Sequence, residues 1–156
     1  MKSKVIILIS VMIVLSWMGF IIYLTLQPAP QSAATSSVVV DTLVNSLDRA
    51  GIDLLANMSR TELHRFIRKA AHFLAYFVLG ILTFHLVLRL SGDFKKAIVI
   101  TMLISIVYAA FDETVQTFVP GRGGQVGDII IDGAGAAAGI AFYLLLRKLK
   151  SFIFNG

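Results

Sequence analysis

Four apolar runs, at about residues 5–26, 66–90, 97–118 and 129–149, constrain this chain more than any other feature. Each is near or beyond the roughly 20 residues that a helix needs to cross a bilayer. A helix on the surface of a soluble domain carries an apolar stripe and a polar back, whereas most of these runs are apolar all round. The composition agrees. Of the 156 residues, 57% are hydrophobic and 15% charged, where a soluble domain is about half apolar and a quarter charged. The expected architecture is all-α: a polytopic membrane protein with four transmembrane helices, residues 1–156 forming one membrane domain.

Local signals mark where the helices begin and end. Lys2 and Lys4 precede the first run, which exceeds the 7–15 apolar residues of a signal-peptide core and reads as an uncleaved span. Gln27-Pro28-Ala29-Pro30 closes it, because proline cannot continue a helix. Gln31 to Ser37 is small and polar and reads as loop. From Val38 onward, Leu43, Leu47, Leu54 and Met58 recur at helix-like intervals among Asp41, Asp48, Arg49 and Asp53. They predict a short amphipathic helix in loop 27–60, broken at Gly51. It would lie on the membrane surface or pack onto the ends of the spans.

Ser59-Arg60-Thr61-Glu62 is a capping box, so the second long helix starts near Arg60 and runs to about Leu90. Ser91-Gly92-Asp93 makes a turn. The third helix stops before Pro120, Gly121 to Gly124 form a loop, and the fourth helix runs from about Asp128 to Lys150.

Basic residues near the span ends predict orientation. Lys2, Lys4, Arg89, Lys95, Lys96, Arg147, Lys148 and Lys150 fall on one side in short segments, which favours both termini in the cytoplasm. Loop 27–60 is then extracytoplasmic. The net charge of +5 comes from residues beside the spans, a pattern of topology signals and headgroup contacts, which excludes nucleic-acid binding. With no cysteine, disulfides and thiolate metal sites are excluded as well.

The segment Phe111 to Gly133 departs from this apolar pattern. It holds Asp112, Glu113, Gln116, Arg122, Asp128 and Asp132 between two apolar runs. Charged groups at the centre of a membrane helix cost about 2.5–3.5 kcal/mol each, and less near the interface. Helical spacing places them on shared faces. Arg65, Lys69, His72 and Tyr76 step by four, three and four, and Ser105, Tyr108, Asp112 and Gln116 by three, four and four. On the fourth helix Asp128 and Asp132 continue into Gly135 and Gly139, a small-xxx-small pair that lets helices approach closely. The simplest assembly turns these three faces toward one another near the extracytoplasmic ends of the spans.

Each group also has a purely structural reading. Asp128 suits a helix N-cap. The Gly-Arg-Gly-Gly loop is either a tight turn whose Arg122 snorkels to phosphates or an anion-binding nest. His64 reads as solvated and His85 as a packed or interfacial histidine. Lys69 or Arg122 could simply neutralise Asp112 or Glu113.

Two segments together resemble the VanZ-like family of bacterial integral membrane proteins. The first is Arg68-Lys69-Ala70-Ala71-His72-Phe73-Leu74-Ala75-Tyr76 with Leu79-Gly80. The second is Asp112-Glu113-Thr114-Val115-Gln116-Thr117-Phe118-Val119-Pro120-Gly121-Arg122, followed by Asp128 and the run from Gly135 to Gly139. The resemblance covers about residues 5 to 147 and marks Lys69, His72, Tyr76, Asp112, Glu113, Gln116, Arg122 and Asp128, with Asp132 at an often polar position. It implies the bacterial cytoplasmic membrane. It also implies a link to the cell envelope and to antibiotic resistance, since the family is named for a member associated with resistance to the glycopeptide teicoplanin.

Two functions follow as expectations. In one, the polar site binds a membrane lipid or lipid-linked cell-wall intermediate, with Arg122 and Lys69 on phosphate. In the other, the protein is a membrane-embedded hydrolase or transferase, with His72 as general base oriented by Asp112 or Glu113. No cofactor motif is evident. A divalent cation on Asp112, Glu113 and Asp128 is compatible with their oxygen ligands. Transport ranks last, because apart from His85 the cytoplasmic half of the spans lacks ionisable groups.

Overall fold

A computed structural model describes residues 2–49 and 59–155, and every element in them is an α-helix. Five helices follow in order: α1 (Lys2–Thr25), α2 (Ala29–Arg49), α3 (Arg60–Ser91), α4 (Phe94–Gln116) and α5 (Val126–Asn155). Within them Lys4–Thr25, Arg60–Ser91, Phe94–Gln116 and Val126–Ile153 are long and apolar enough to cross a membrane. At 32 residues α3 is about 48 Å long, well beyond a hydrocarbon core of roughly 30 Å.

Local chemistry starts and stops the long helices. The Ser59–Glu62 capping box is formed in both directions: the Ser59 amide donates to Glu62 Oε2 at 2.8 Å, and the Glu62 amide to Ser59 Oγ at 3.3 Å. Gly92 ends α3 in the left-handed region at φ 65°, where a side chain would be strained, and its amide donates to the Leu88 carbonyl. Asp93 then caps α4 by accepting from the Lys95 and Lys96 amides.

The first connection is not the loop that its composition predicts. Residues 31–37 are helical, because α2 starts at Ala29 directly after Pro28. Proline is excluded from a helix interior but tolerated in the first turn, where an amide has no intrahelical partner to lose. Pro28 and Pro30 therefore end α1 and open α2, and the Gln31 and Ser32 amides donate to the Pro28 carbonyl. The amphipathic helix thus begins nine residues before Val38, and it packs against α3 with Val40 buried. The expected break at Gly51 and the positions of Leu54 and Met58 lie outside the described residues.

Helix α3 is the centre of the bundle, with its most extensive contact to α5 and further contacts to α4, α1 and α2. Glycines on both helices set how closely α3 and α5 approach, and on α3 a Cβ at Gly80 would meet the Ala136 carbonyl at 2.5 Å. A Cβ on Gly135 would run into the Phe73 carbonyl, and one on Gly139 into the Phe77 carbonyl, so neither position admits a side chain. This backbone contact fixes the register between the helices. Counting back from it, Asp132 comes opposite His72 and Asp128 opposite Lys69. On the other side of α3, Trp17 donates from Nε1 to the Ala75 carbonyl at 2.9 Å and so ties on α1.

Candidate functional site

The convergence sits at the end of the bundle where residues 117–125 join α4 to α5. Asp112, Glu113 and Gln116 on α4 and Asp128 and Asp132 on α5 are all buried, although these helices are otherwise largely apolar. From α3, Lys69 Nζ pairs with Asp128 Oδ1 at 3.2 Å, and His72 Nδ1 approaches Asp132 Oδ1 at 3.5 Å. One ligand atom each from His72, Asp112, Glu113 and Asp132 lie within 4.8 Å of one another. Tyr76 is fully buried one turn below His72, with its ring 6.3 Å from that of Tyr108.

The carboxylates have different partners from those that composition alone would assign. Lys69 neutralises Asp128 rather than Asp112 or Glu113. Asp128 is not an N-cap: it lies in the first turn of α5, where its charge also faces the positive end of the helix dipole. The carboxylate beside His72 is Asp132, and Asp128 stands outside the converging four in place of which Asp132 and His72 enter.

Two chain segments outside the helical faces complete the arrangement. Thr25, the last residue of α1, donates from Oγ1 to Asp112 Oδ1 at 2.5 Å, and its carbonyl accepts from Arg122 Nη1 at 3.2 Å. The loop passes over the end of α4 so tightly that a Cβ on Gly124 would meet the Glu113 carbonyl at 2.5 Å. That closeness lets the Gln125 amide donate to Glu113 Oε2 at 2.7 Å. Gly121 turns the loop with φ 76°, and the Arg122 amide donates to the Val119 carbonyl. Of the amides in this glycine-rich loop, that of Gln125 holds an anion of the chain itself, the Glu113 carboxylate.

Beside the acids a cleft of about 180 Å³ opens between α1, α2 and α3. Its walls are Ile21, Leu24, Val39, Ile67 and Ala75, and Arg68, His72, Tyr76 and Arg122 also line it. Burial and the neighbouring Arg68 pull the Arg122 guanidinium below its ordinary range, while Asp112 and Glu113 push it back up. His72 and Tyr76 face both cleft and acids.

All nine residues singled out in the sequence therefore lie at one end of the bundle. Thr25 and Arg68 join the nine, Arg68 being the residue that opens the first resemblance segment. Arg68 had a signal, since it precedes His72 by one helical turn. Thr25 had none, because a threonine closing an apolar span looks like any other. Away from this end, His85 is a packed histidine: it accepts from Arg89 Nε at 2.8 Å and is 2.9 Å from the Tyr143 hydroxyl. His64 is half-buried rather than solvated.

Among known proteins, the family model described as VanZ/LLP1 matches residues 10–147, a stretch that contains the whole site. No curated protein and no solved structure matches the chain.

Proposed function

Because the chain belongs to the VanZ/LLP1 family and is a multi-pass membrane protein, we propose that it binds the phosphate-bearing headgroup of a membrane lipid or lipid-linked cell-wall intermediate. The observation that carries this reading is the cleft. Apolar walls suit a lipid tail, and Arg68, His72 and Arg122 gather at them. Guanidinium groups match phosphate with paired, charge-assisted hydrogen bonds. Arg122 has donor capacity to spare: Nη1 holds the Thr25 carbonyl, while Nε is buried with no hydrogen-bond partner among the described residues.

The bias of basic residues toward Lys2, Lys4, Arg89, Lys95, Lys96 and Arg147 supports both termini in the cytoplasm of a bacterium. The cleft then faces the extracytoplasmic side. Occupying or remodelling an envelope lipid there would change how a glycopeptide such as teicoplanin reaches its target.

The test is lipid retention. Wild type purified in mild detergent should carry a phosphate lipid, detected by mass spectrometry. Arg68→Gln and Arg122→Gln should each lower that occupancy about tenfold, the loss of one charge-assisted hydrogen bond. Equal occupancy in all three would overturn the reading. At matched membrane levels, wild type should also protect a sensitive Gram-positive host from teicoplanin where Arg122→Gln does not.

A second reading, a membrane-embedded hydrolase or transferase acting on a lipid-linked envelope substrate, is favoured by the proximity of His72 and Asp132 at 3.5 Å. An imidazole oriented by a carboxylate is the arrangement of a general base. Loss of turnover in a folded His72→Gln protein would support it, and unchanged turnover would exclude it.

A further inference from the structure

Three carboxylates of the site share one buried volume with a single imidazole. Each receives limited help from the protein. Thr25 donates to Asp112 Oδ1, the Gln125 amide donates to Glu113 Oε2, and His72 faces Asp132 Oδ1. Asp112 Oδ2, Glu113 Oε1 and both Asp132 carboxylate oxygens remain buried with no hydrogen-bond partner among the described residues, the His72 approach at 3.5 Å being long. Lys69 is committed to Asp128.

Two neutral groups make an independent observation. The Tyr76 hydroxyl and the Gln116 Nε2 are buried and likewise without a partner among the described residues, and the two side chains belong to residues that are 0% and 1% exposed. Tyr76 lies one helical turn from His72, and Gln116 one turn from Asp112. Buried polar groups of this kind ordinarily have partners, and each one without is a sign of something further that it contacts. The free carboxylate oxygens call for a cationic occupant, and the Gln116 Nε2 donor and the Tyr76 hydroxyl suit water bound to it.

We propose that His72, Asp112, Glu113 and Asp132 bind one divalent cation, which faces the cleft through His72 and bridges to the headgroup phosphate. Ligand atoms on opposite sides of a divalent ion are roughly 4–5 Å apart, given bonds of about 2.0–2.5 Å. The observed 4.8 Å limit on all pairs lies in that range. The donor set also points to a class of ion. Three carboxylates are hard oxygen ligands, the imidazole is softer, and the chain has no thiolate. That mixture suits Mn²⁺ or Zn²⁺ better than Ca²⁺. The bridging half of this inference rests on the headgroup reading. The cation removes the repulsion that three carboxylates would otherwise exert on a phosphate beside them.

The experiment begins with full-length protein in detergent, stripped with a chelator and titrated with Mn²⁺ while the free ion is followed by electron paramagnetic resonance. Zn²⁺ and Ca²⁺ serve as competitors. Wild type should hold one Mn²⁺, displaced by Zn²⁺ far more readily than by Ca²⁺. Asp112→Asn and Asp132→Asn, which keep side-chain shape, should each weaken binding tenfold or more. His85→Gln, at the opposite end of α3, should bind as wild type does.

Should Asp132→Asn lose its monodisperse elution, Glu113→Gln replaces it. No bound Mn²⁺ in wild type, or equal binding in the asparagine variants, overturns the site. Chelator should also release the retained phosphate lipid, and lipid held unchanged after stripping would overturn the bridge. The two readings fail separately. A protein that binds no ion yet loses lipid on Arg122→Gln keeps the headgroup and loses the cation, and the reverse result does the opposite.

Discussion

The two ends of this bundle use the same helices and solve burial differently. Away from the loop, Phe84, Val87, Ala97 and Ile140 form an apolar cluster from α3, α4 and α5. The basic groups there stay at the surface: Arg89, Lys95, Lys96 and Arg147 are exposed, and Arg147 lies over the Phe94 ring at 4.5 Å. At the loop end Asp112, Glu113, Asp128 and Asp132 are taken inside. Joining α3, α4 and α5 therefore needs no buried charge, since one end does without it. A charge in a membrane helix costs several kcal/mol unless paired or put to use. The acids at the loop end are not demanded by the architecture, and that difference is what marks this end as the candidate site.

The largest effect should come from removing what both ends share. In Gly139→Leu the new Cβ would meet the Phe77 carbonyl, a backbone atom that cannot rotate aside. Helices α3 and α5 must separate, with an expected loss of about 3 kcal/mol or more. Thermal unfolding in detergent, together with size-exclusion elution, would show whether both ends fail together.

Lys69→Gln should act on the loop end alone. It leaves the Asp128 carboxylate buried without its cation. Because the Lys69 side chain is 38% exposed, solvent screens part of the pair and the expected loss is only about 1–2 kcal/mol. Adding Asp128→Asn should recover most of it, and a double-mutant cycle by thermal unfolding measures the coupling.

Lys95→Gln at the other end should be nearly silent, within about 0.5 kcal/mol by the same measurement, since its side chain is exposed and Asp93 caps the helix through the backbone. A large effect there would mean that this end, too, depends on its charges.

Much of the molecule was legible before any coordinate. Run length and uniform apolarity announced the long helices, and Ser59 with Glu62 marked the start of α3. Spacing of three and four put Lys69, His72 and Tyr76 on one face and Asp112 with Gln116 on another. The junction after Pro28 is not legible in the same way, because proline stops one helix and opens the next with equal ease. Its neighbours Ala33 and Ala34 are compatible with helix, while the serines around them read as loop.

What the chain decided locally, then, is which residues are helical, where α3 and α4 are capped, and which side chains share a face. These follow from hydrogen bonds and spacings within about one turn. Pairing across helices is a different matter. That His72 meets Asp132, that Lys69 meets Asp128, and that Thr25 reaches Asp112 are set by the register between helices. Register comes from packing: the Phe73 and Phe77 carbonyls settle against Gly135 and Gly139, and one residue's shift along that contact would change every partner. No spacing within a single helix carries that information, so only the tertiary structure could supply it.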